Sequence, residues 1–259
     1  MYKAPAVSSG ELELKQYMIA VLICFISTFS RTANAIDREA EEATAFRLPF
    51  PENHARVLAE ARALGAPMQA VGRAFKEAES IVYTVKDVVT VFDISQPSGN
   101  RRFFLIDLKN NRTSAHYAAH GKSNGNNLRA TKFRGFRSDH DMVPLGPLRT
   151  AAADAPITSH YRTITDKYTR QVWNGLNSAR LEGVAPYNSY INSVPGVVWV
   201  IHPNWYVSAG YRKNNPGMLG RSLGCITLDP EVNNAIVNSL GNGALIYVTV
   251  GDDPVERYL

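Results

Sequence analysis

From Ile81 onward the chain is written in short β-rich runs, each cut off by a cluster of turn residues. That rhythm constrains the fold more than any other feature of the sequence. Ile81 to Val85, Val88 to Ile94, Arg101 to Leu108 and Ser114 to Ala119 carry the strand formers. Gln96-Pro97-Ser98-Gly99-Asn100 and Lys109-Asn110-Asn111 supply the breaks. Short strands separated in this way argue for a largely antiparallel sheet. A Gly- and Asn-rich loop follows at 121–127, and further strand signals lie near 168–173, 197–201 and 244–250. Between the last two, Asp229-Pro230-Glu231 opens a helix that runs to about Leu240. Aspartate serves as its N-cap, proline as its first residue, and Gly241 as its stop.

Upstream, residues 37–79 are Ala-rich and charged. Two helices are expected there, over about 53–64 and 67–79, with Pro51 and Pro67 at their starts. This lead-in reads as a packing or spacer segment. No internal repeat is visible. The expectation is a mainly β (α+β) domain over residues 81–251, preceded by a helical segment over 36–80 and followed by a tail over 252–259.

At 259 residues, 45% hydrophobic and 20% charged, the chain has room for a sizeable core and is neither a disordered chain nor a coiled coil. Lys and Arg outnumber Asp and Glu by 28 to 23, which suits an acidic polymer as partner. No basic run is dense enough to argue for nucleic acid.

The N-terminus bears on the compartment. Lys15 precedes an apolar stretch from Met18 to Phe29, and Ala33-Asn34-Ala35 follows. A positive segment, a short apolar segment and an A-x-A site read as a signal peptide over 1–35. The apolar run is shorter than the roughly 20 residues a membrane-spanning helix needs, so no such span is expected after cleavage. The alternative is an uncleaved anchor. Cys24 falls in the discarded peptide, since Ile23 is too bulky to precede a lipidated cysteine. The mature chain would begin at Ile36, carry a net charge of +4 and keep one cysteine, Cys225, in a compartment that favours thiol oxidation. A lone cysteine there is either buried and inert or kept for its reactivity.

The surroundings of Cys225 favour chemistry without excluding the inert reading. Val197 to Ile201 is an apolar strand that ends in His202, and Pro203 holds His202 extended. Then comes Gly220-Arg221-Ser222-Leu223-Gly224-Cys225. Two glycines permit a tight turn whose amides cluster round the sulfur, where they lower a thiol pKa and bind an oxyanion. A nearby imidazole would complete a thiolate–imidazolium pair. The bland readings are a small buried hydrophobe at Cys225 and a structural histidine at 202. The remaining histidines show no H-E-x-x-H metal spacing.

Taken together, Ile201-His202 and Gly220 to Cys225 resemble the murein L,D-transpeptidase catalytic domain (YkuD-like) family, in the branch with a G-R-S-x-G-C signature. Asp93 to Ser98, Arg102 to Leu108, Ala119-His120-Gly121-Lys122, Leu181-Glu182-Gly183 and Tyr206-Val207-Ser208 agree with it. The resemblance implies a β-sandwich or barrel domain that is periplasmic or wall-associated and acts on peptidoglycan stem peptides. It requires no metal or cofactor. By position, Cys225 would be the nucleophile and His202 its base. The amides of Leu223, Gly224 and Cys225, in the turn begun by Ser222, would form the oxyanion hole. Arg221, His120 and Tyr206 are candidate substrate contacts, although His120 reads equally as a structural cap for its Gly-rich loop. Many relatives have a second histidine where Leu223 stands, and glycine where Pro203 stands.

The implied reaction cleaves the bond between stem residue three and D-Ala, forming a thioester that passes to an amine as a 3→3 cross-link, to water, or to a protein lysine. Two other readings stay open. A sortase is also an exported transpeptidase with His before Cys, but it needs an arginine soon after the cysteine, and the next one here is Arg257. A non-catalytic wall-binding module would bury Cys225 far from His202.

Overall fold

The structure is a computed structural model that describes residues 54–133, 141–151 and 162–259. The expected signal peptide, the first part of the helical lead-in, His140 and His160 lie outside the described residues.

Eleven strands and four α-helices are described. The strands are β1 Val88–Asp93, β2 Phe103–Asp107, β3 Arg112–His116, β4 Ala118–Ala119, β5 Gly146–Thr150, β6 Ile164–Thr165, β7 Val172–Trp173, β8 Ala179–Gly183, β9 Val200–Pro203, β10 Ile226–Leu228 and β11 Leu245–Thr249. The helices are α1 Ala55–Ala63, α2 Met68–Ala78, α3 Ala209–Asn214 and α4 Pro230–Leu240. Nine strands make one sheet in the order β3-β2-β1-β11-β5-β8-β9-β10-β4, and β6 pairs with β7 alone. The two outermost strands of that order, β3 and β4, are joined in the chain by Tyr117 alone. The sheet therefore curls until its ends nearly meet, giving a mainly β, barrel-like fold with a few helices.

The sheet is antiparallel except at two pairs, β1 with β11 and β9 with β10. Every residue of β1 and of β11 is buried. Such strands are covered on both faces and read as continuous apolar runs rather than alternations. Part of that cover is α2, which packs on β1 and β11. Ala70, Val71, Ala74 and Phe75 of α2 are buried in the same core as Val91, Phe104, Ile246 and Val248. The helices are thus part of the domain's core rather than a separate spacer. The C-terminal segment packs back too: Arg73 donates to the carbonyls of Asp252 and Asp253 at 3.0 and 2.9 Å.

α4 begins and ends where its caps dictate. The Asp229 carboxylate accepts from the Glu231 amide at 3.1 Å, and Gly241 leaves the helix at φ +54°. Other expected elements change. Ile81 to Val85 is not a strand: Ile81 is exposed, Tyr83 closes a turn on Ser80, and the Thr84 amide donates to the Gly243 carbonyl. The run near 168–173 shrinks to Val172–Trp173, because Asp166 caps a turn there and Arg170 sits at φ +61°. β5 and β8, unmarked in the sequence reading, form the middle of the sheet.

One buried cation ties the curled ends together. Arg102 has no exposed surface, and each of its five guanidinium protons has an acceptor. Nε and one terminal nitrogen donate to the Ala118 carbonyl of β4 at 3.1 and 3.0 Å. The other terminal nitrogen reaches the Ile94 and Gln96 carbonyls beyond β1 at 3.3 and 2.9 Å. The last proton goes to His120 Nδ1 at 2.7 Å. Burial pulls the guanidinium pKa down to about 9, so it remains a cation at neutral pH. Arg102→Lys keeps the charge but offers three donors for four acceptors. Unfolding in urea should show a loss of about 2–4 kcal/mol, the cost of carbonyls left unpaired in the interior. A loss below about 1 kcal/mol would mean that those carbonyls find other donors.

Candidate active site

β9 and β10 lie side by side and parallel, with Ile201 opposite Ile226, His202 opposite Thr227 and Pro203 opposite Leu228. Side chains alternate across a strand. Ile201, Ile226 and Leu228 accordingly enter the main core, while His202 and Thr227 point to the other side. Cys225 immediately precedes β10, and its Sγ lies 4.0 Å from the Val198 carbonyl in the segment that leads into β9. The parallel pairing thus sets Cys225 beside the segment that carries His202, 23 positions away in the chain. A small cluster of Ala119, Val207 and Leu219, with Tyr117 and Tyr206 packed on it, lies near this face.

The imidazole is oriented by its neighbours. His202 Nδ1 lies 2.8 Å from the carbonyl oxygen of Pro203, which can only accept. Nδ1 therefore carries the proton of the neutral ring, and Nε2 presents a lone pair. Nε2 sits 3.3 Å from Thr227 Oγ1, and the same oxygen sits 3.1 Å from the Tyr206 hydroxyl.

The turn that leads to Cys225 is held from inside and from outside. The Ser222 hydroxyl donates to the Cys225 carbonyl at 2.6 Å, closing the turn on itself. Gly224 adopts φ +94°, a conformation that side chains beyond glycine rarely take. Leu223 stands at the tip, 63% exposed. Among the described residues no carbonyl accepts from the Leu223 or Gly224 amides. Outside, the Ser222 amide donates to the His120 carbonyl at 3.0 Å and the Lys122 amide to the Ser222 carbonyl at 2.8 Å. Gly220 lets the turn touch Tyr206, since a Cβ there would fall 2.5 Å from that ring's Cβ and Cγ.

Two expected substrate contacts are instead used by the scaffold. His120 is fully buried; its Nδ1 accepts from Arg102 and its Nε2 meets the Asn126 carbonyl at 3.1 Å. Burial, and then the Arg102 charge, hold its pKa down to about 3, so it stays neutral and has no nitrogen left for a ligand. Arg221 is spent on the Gly- and Asn-rich loop: Nε donates to Asn127 Oδ1 at 2.8 Å, and Nη1 to the carbonyls of Lys122 and Gly125. Thr227 and the Pro203 carbonyl were not singled out in the sequence. The signal for Thr227 is its place two residues beyond the cysteine.

The electrostatics differ from the sequence expectation in one respect. Cys225 is 7% exposed, its Sγ 4.0 Å from the Val198 carbonyl. Burial pushes the thiol up to about 11, and a main-chain hydrogen bond from Val200 offsets only part of this. The resting site thus holds a neutral thiol rather than the expected thiolate. Desolvation outweighs the amides of the turn. Among the described residues no cluster of three His, Cys, Asp or Glu side chains is placed to hold a metal ion.

The chain matches the YkuD-type L,D-transpeptidase catalytic domain family over residues 64–155 and 160–249. No curated protein and no solved structure matches it. The matched region takes in α2, the whole nine-stranded sheet and the turn that ends in Cys225.

A pH titration follows from the buried thiol. A free cysteine titrates near about 8.5. Alkylation of native Cys225 by iodoacetamide should rise with pH toward a midpoint of about 11, above that of the urea-unfolded chain. Peptide mapping by mass at each pH gives both curves. A native midpoint below the unfolded one would show that the turn or the imidazole, rather than burial, controls the sulfur.

Proposed function

Because the chain belongs to the YkuD-type L,D-transpeptidase catalytic domain family, we propose that it is an exported cysteine transpeptidase of peptidoglycan stem peptides, with Cys225 as nucleophile and His202 as base. The observation that carries this reading is the His202 tautomer. With Nδ1–H bound to the Pro203 carbonyl, the lone pair lies on Nε2, in the strand paired with β10, which Cys225 immediately precedes.

The reaction runs as general-base catalysis on a neutral thiol. Sγ attacks the carbonyl carbon between stem residue three and D-Ala as its proton passes to Nε2. The oxyanion is held by the amides of Leu223, Gly224 and Cys225. As the C–N bond breaks, Nε2–H protonates the departing D-Ala amine and a thioester remains on Cys225. An acceptor amine then attacks the thioester, gives its proton to Nε2, and releases the sulfur, which takes that proton back. Water in place of the amine gives hydrolysis, and a protein lysine gives anchoring. Tyr206 borders the site through Thr227 and is the remaining candidate to touch substrate. Arg221 and His120 act through the scaffold that positions the turn.

Export rests on the sequence alone, on Lys15, the apolar stretch and Ala33-Asn34-Ala35. Sequencing the N-terminus of the secreted protein should give Ile36; Met18 still attached would favour an anchor.

The central test is D-Ala release from a tetrapeptide stem, with circular dichroism confirming each fold. Cys225→Ser should abolish turnover, since a hydroxyl does not ionise near neutral pH. His202→Ala should lower it by roughly 10²–10⁴-fold. The double variant should be no worse than the poorer single one, because both groups serve one step. Leu223→His should stay within about tenfold, because only a main-chain amide is asked of that exposed position. Wild-type turnover in Cys225→Ser would remove the nucleophile and the whole reading with it.

A further inference from the structure

Thr227 is fully buried between two apolar neighbours, Ile226 and Leu228, in the shortest strand beside β9. A buried hydroxyl is costly there unless it is hydrogen-bonded. Its Oγ1 meets His202 Nε2 at 3.3 Å and the Tyr206 hydroxyl at 3.1 Å. We propose that Thr227, backed by Tyr206, is the positioning residue of this site: its hydroxyl holds the His202 ring with Nε2 as acceptor, then accepts from Nε2–H once the Cys225 proton has arrived. This inference rests on the reading of Cys225 as nucleophile and His202 as base.

The two hydroxyls can serve both protonation states because each is at once donor and acceptor. With the ring neutral, Thr227 donates to Nε2; because Nε2 has one lone pair, that hydroxyl hydrogen turns to Tyr206 as the Sγ proton arrives. With the ring protonated, Thr227 accepts from Nε2–H until the proton passes to the departing amine, and meanwhile donates to Tyr206. One proton moves from Sγ to Nε2, and only the two hydroxyl hydrogens turn. The contact at Nε2 adds a point of support to the one that Nδ1 makes with Pro203.

Both supports are fixed by main chain. Thr227 is paired to His202 on one side and to Ala119 on the other. Tyr206 takes the Gly220 amide on its carbonyl at 3.0 Å and packs its ring where a Cβ of residue 220 would stand. The turn that carries Cys225 therefore also sets the hydroxyl pair that orients His202. A displaced turn would shift nucleophile and base together.

The test compares Thr227→Val, Thr227→Ser and Tyr206→Phe by D-Ala release from a tetrapeptide stem and by the rate of Cys225 alkylation with iodoacetamide. Thr227→Val should lower kcat by roughly 10- to 100-fold, the range for outer partners of an active-site histidine, with KM within about twofold. Thr227→Ser should restore most of the loss, and Tyr206→Phe should lower kcat by roughly threefold or more. Wild-type kcat in Thr227→Val, or a serine variant no better than valine, would overturn the proposal. If Thr227→Val does not fold, Tyr206→Phe decides: a fall in kcat with KM within about twofold supports the proposal, and an unchanged kcat or an effect confined to KM overturns it. If the wild type itself releases no D-Ala, the transpeptidase reading fails separately. Alkylation needs no substrate and still decides: equal rates in wild type and Thr227→Val sink the proposed role.

Discussion

The guanidinium of Arg102 is the interaction on which the rest of the structure leans. A barrel-like sheet of nine strands leaves main-chain groups unpaired where its ends approach, and buried carbonyls without donors are expensive. Arg102 supplies five donors in one rigid fork to Ala118, Ile94, Gln96 and His120. Its aliphatic stem stays in the core, and its charge lies 5.5 Å from the Phe92 ring centre. Through His120, the same group reaches the active turn. The His120 carbonyl accepts from Ser222, whose hydroxyl closes on Cys225. An unbroken series of hydrogen bonds and short chain links thus joins the sheet closure to Cys225.

The site itself is a balance of two large effects. Burial holds the thiol protonated, and it also strengthens every hydrogen bond made by the imidazole. A preformed ion pair would need the interior to stabilise two charges before substrate arrives. A neutral pair avoids that cost, and charge then develops only as the proton moves. The parallel pairing of β9 and β10 suits this arrangement. It sets His202 and Thr227 side by side by strand register, while Cys225 is delivered by the turn that enters β10.

Legibility in the sequence follows from where the information lies. The central strands β1, β2 and β11 were readable because each is a continuous apolar run, and α4 because Asp229, Pro230 and Gly241 mark its ends. β5 was not: it opens Gly146-Pro147, residues that normally signal a turn, and tertiary pairing with β11 and β8 overrides them. Ile81 to Val85 misled in the opposite sense. Its composition is that of a strand, yet its amides are taken by turns and by Gly243. In the candidate site, the glycine turn before Cys225 and the strand that ends at His202 were legible from glycine spacing and an apolar run. Thr227 was not, because a threonine between Ile226 and Leu228 looks like any strand residue until its partner strand is known. The loop contacts of His120 and Arg221 were not legible, since sequence shows proximity along the chain but not which carbonyls a side chain will meet.

The two departures from the family pattern, Pro203 and Leu223, have a common explanation in the geometry. At 203 the site uses a carbonyl, which accepts from His202 Nδ1, and proline retains its carbonyl while lacking only an amide proton. At 223 the proposed mechanism uses an amide, and leucine retains its amide while its side chain points largely to solvent. Both positions are asked for main-chain groups, so the side chain is free to vary within what the turn and the strand allow. Gly224 and Gly220 are not free in this way, because φ +94° and the Tyr206 ring exclude a Cβ. On the proposed mechanism the site therefore divides its demands: side-chain identity at Cys225, His202, Ser222 and Thr227, absence of a side chain at 220 and 224, and main chain alone at 203 and 223.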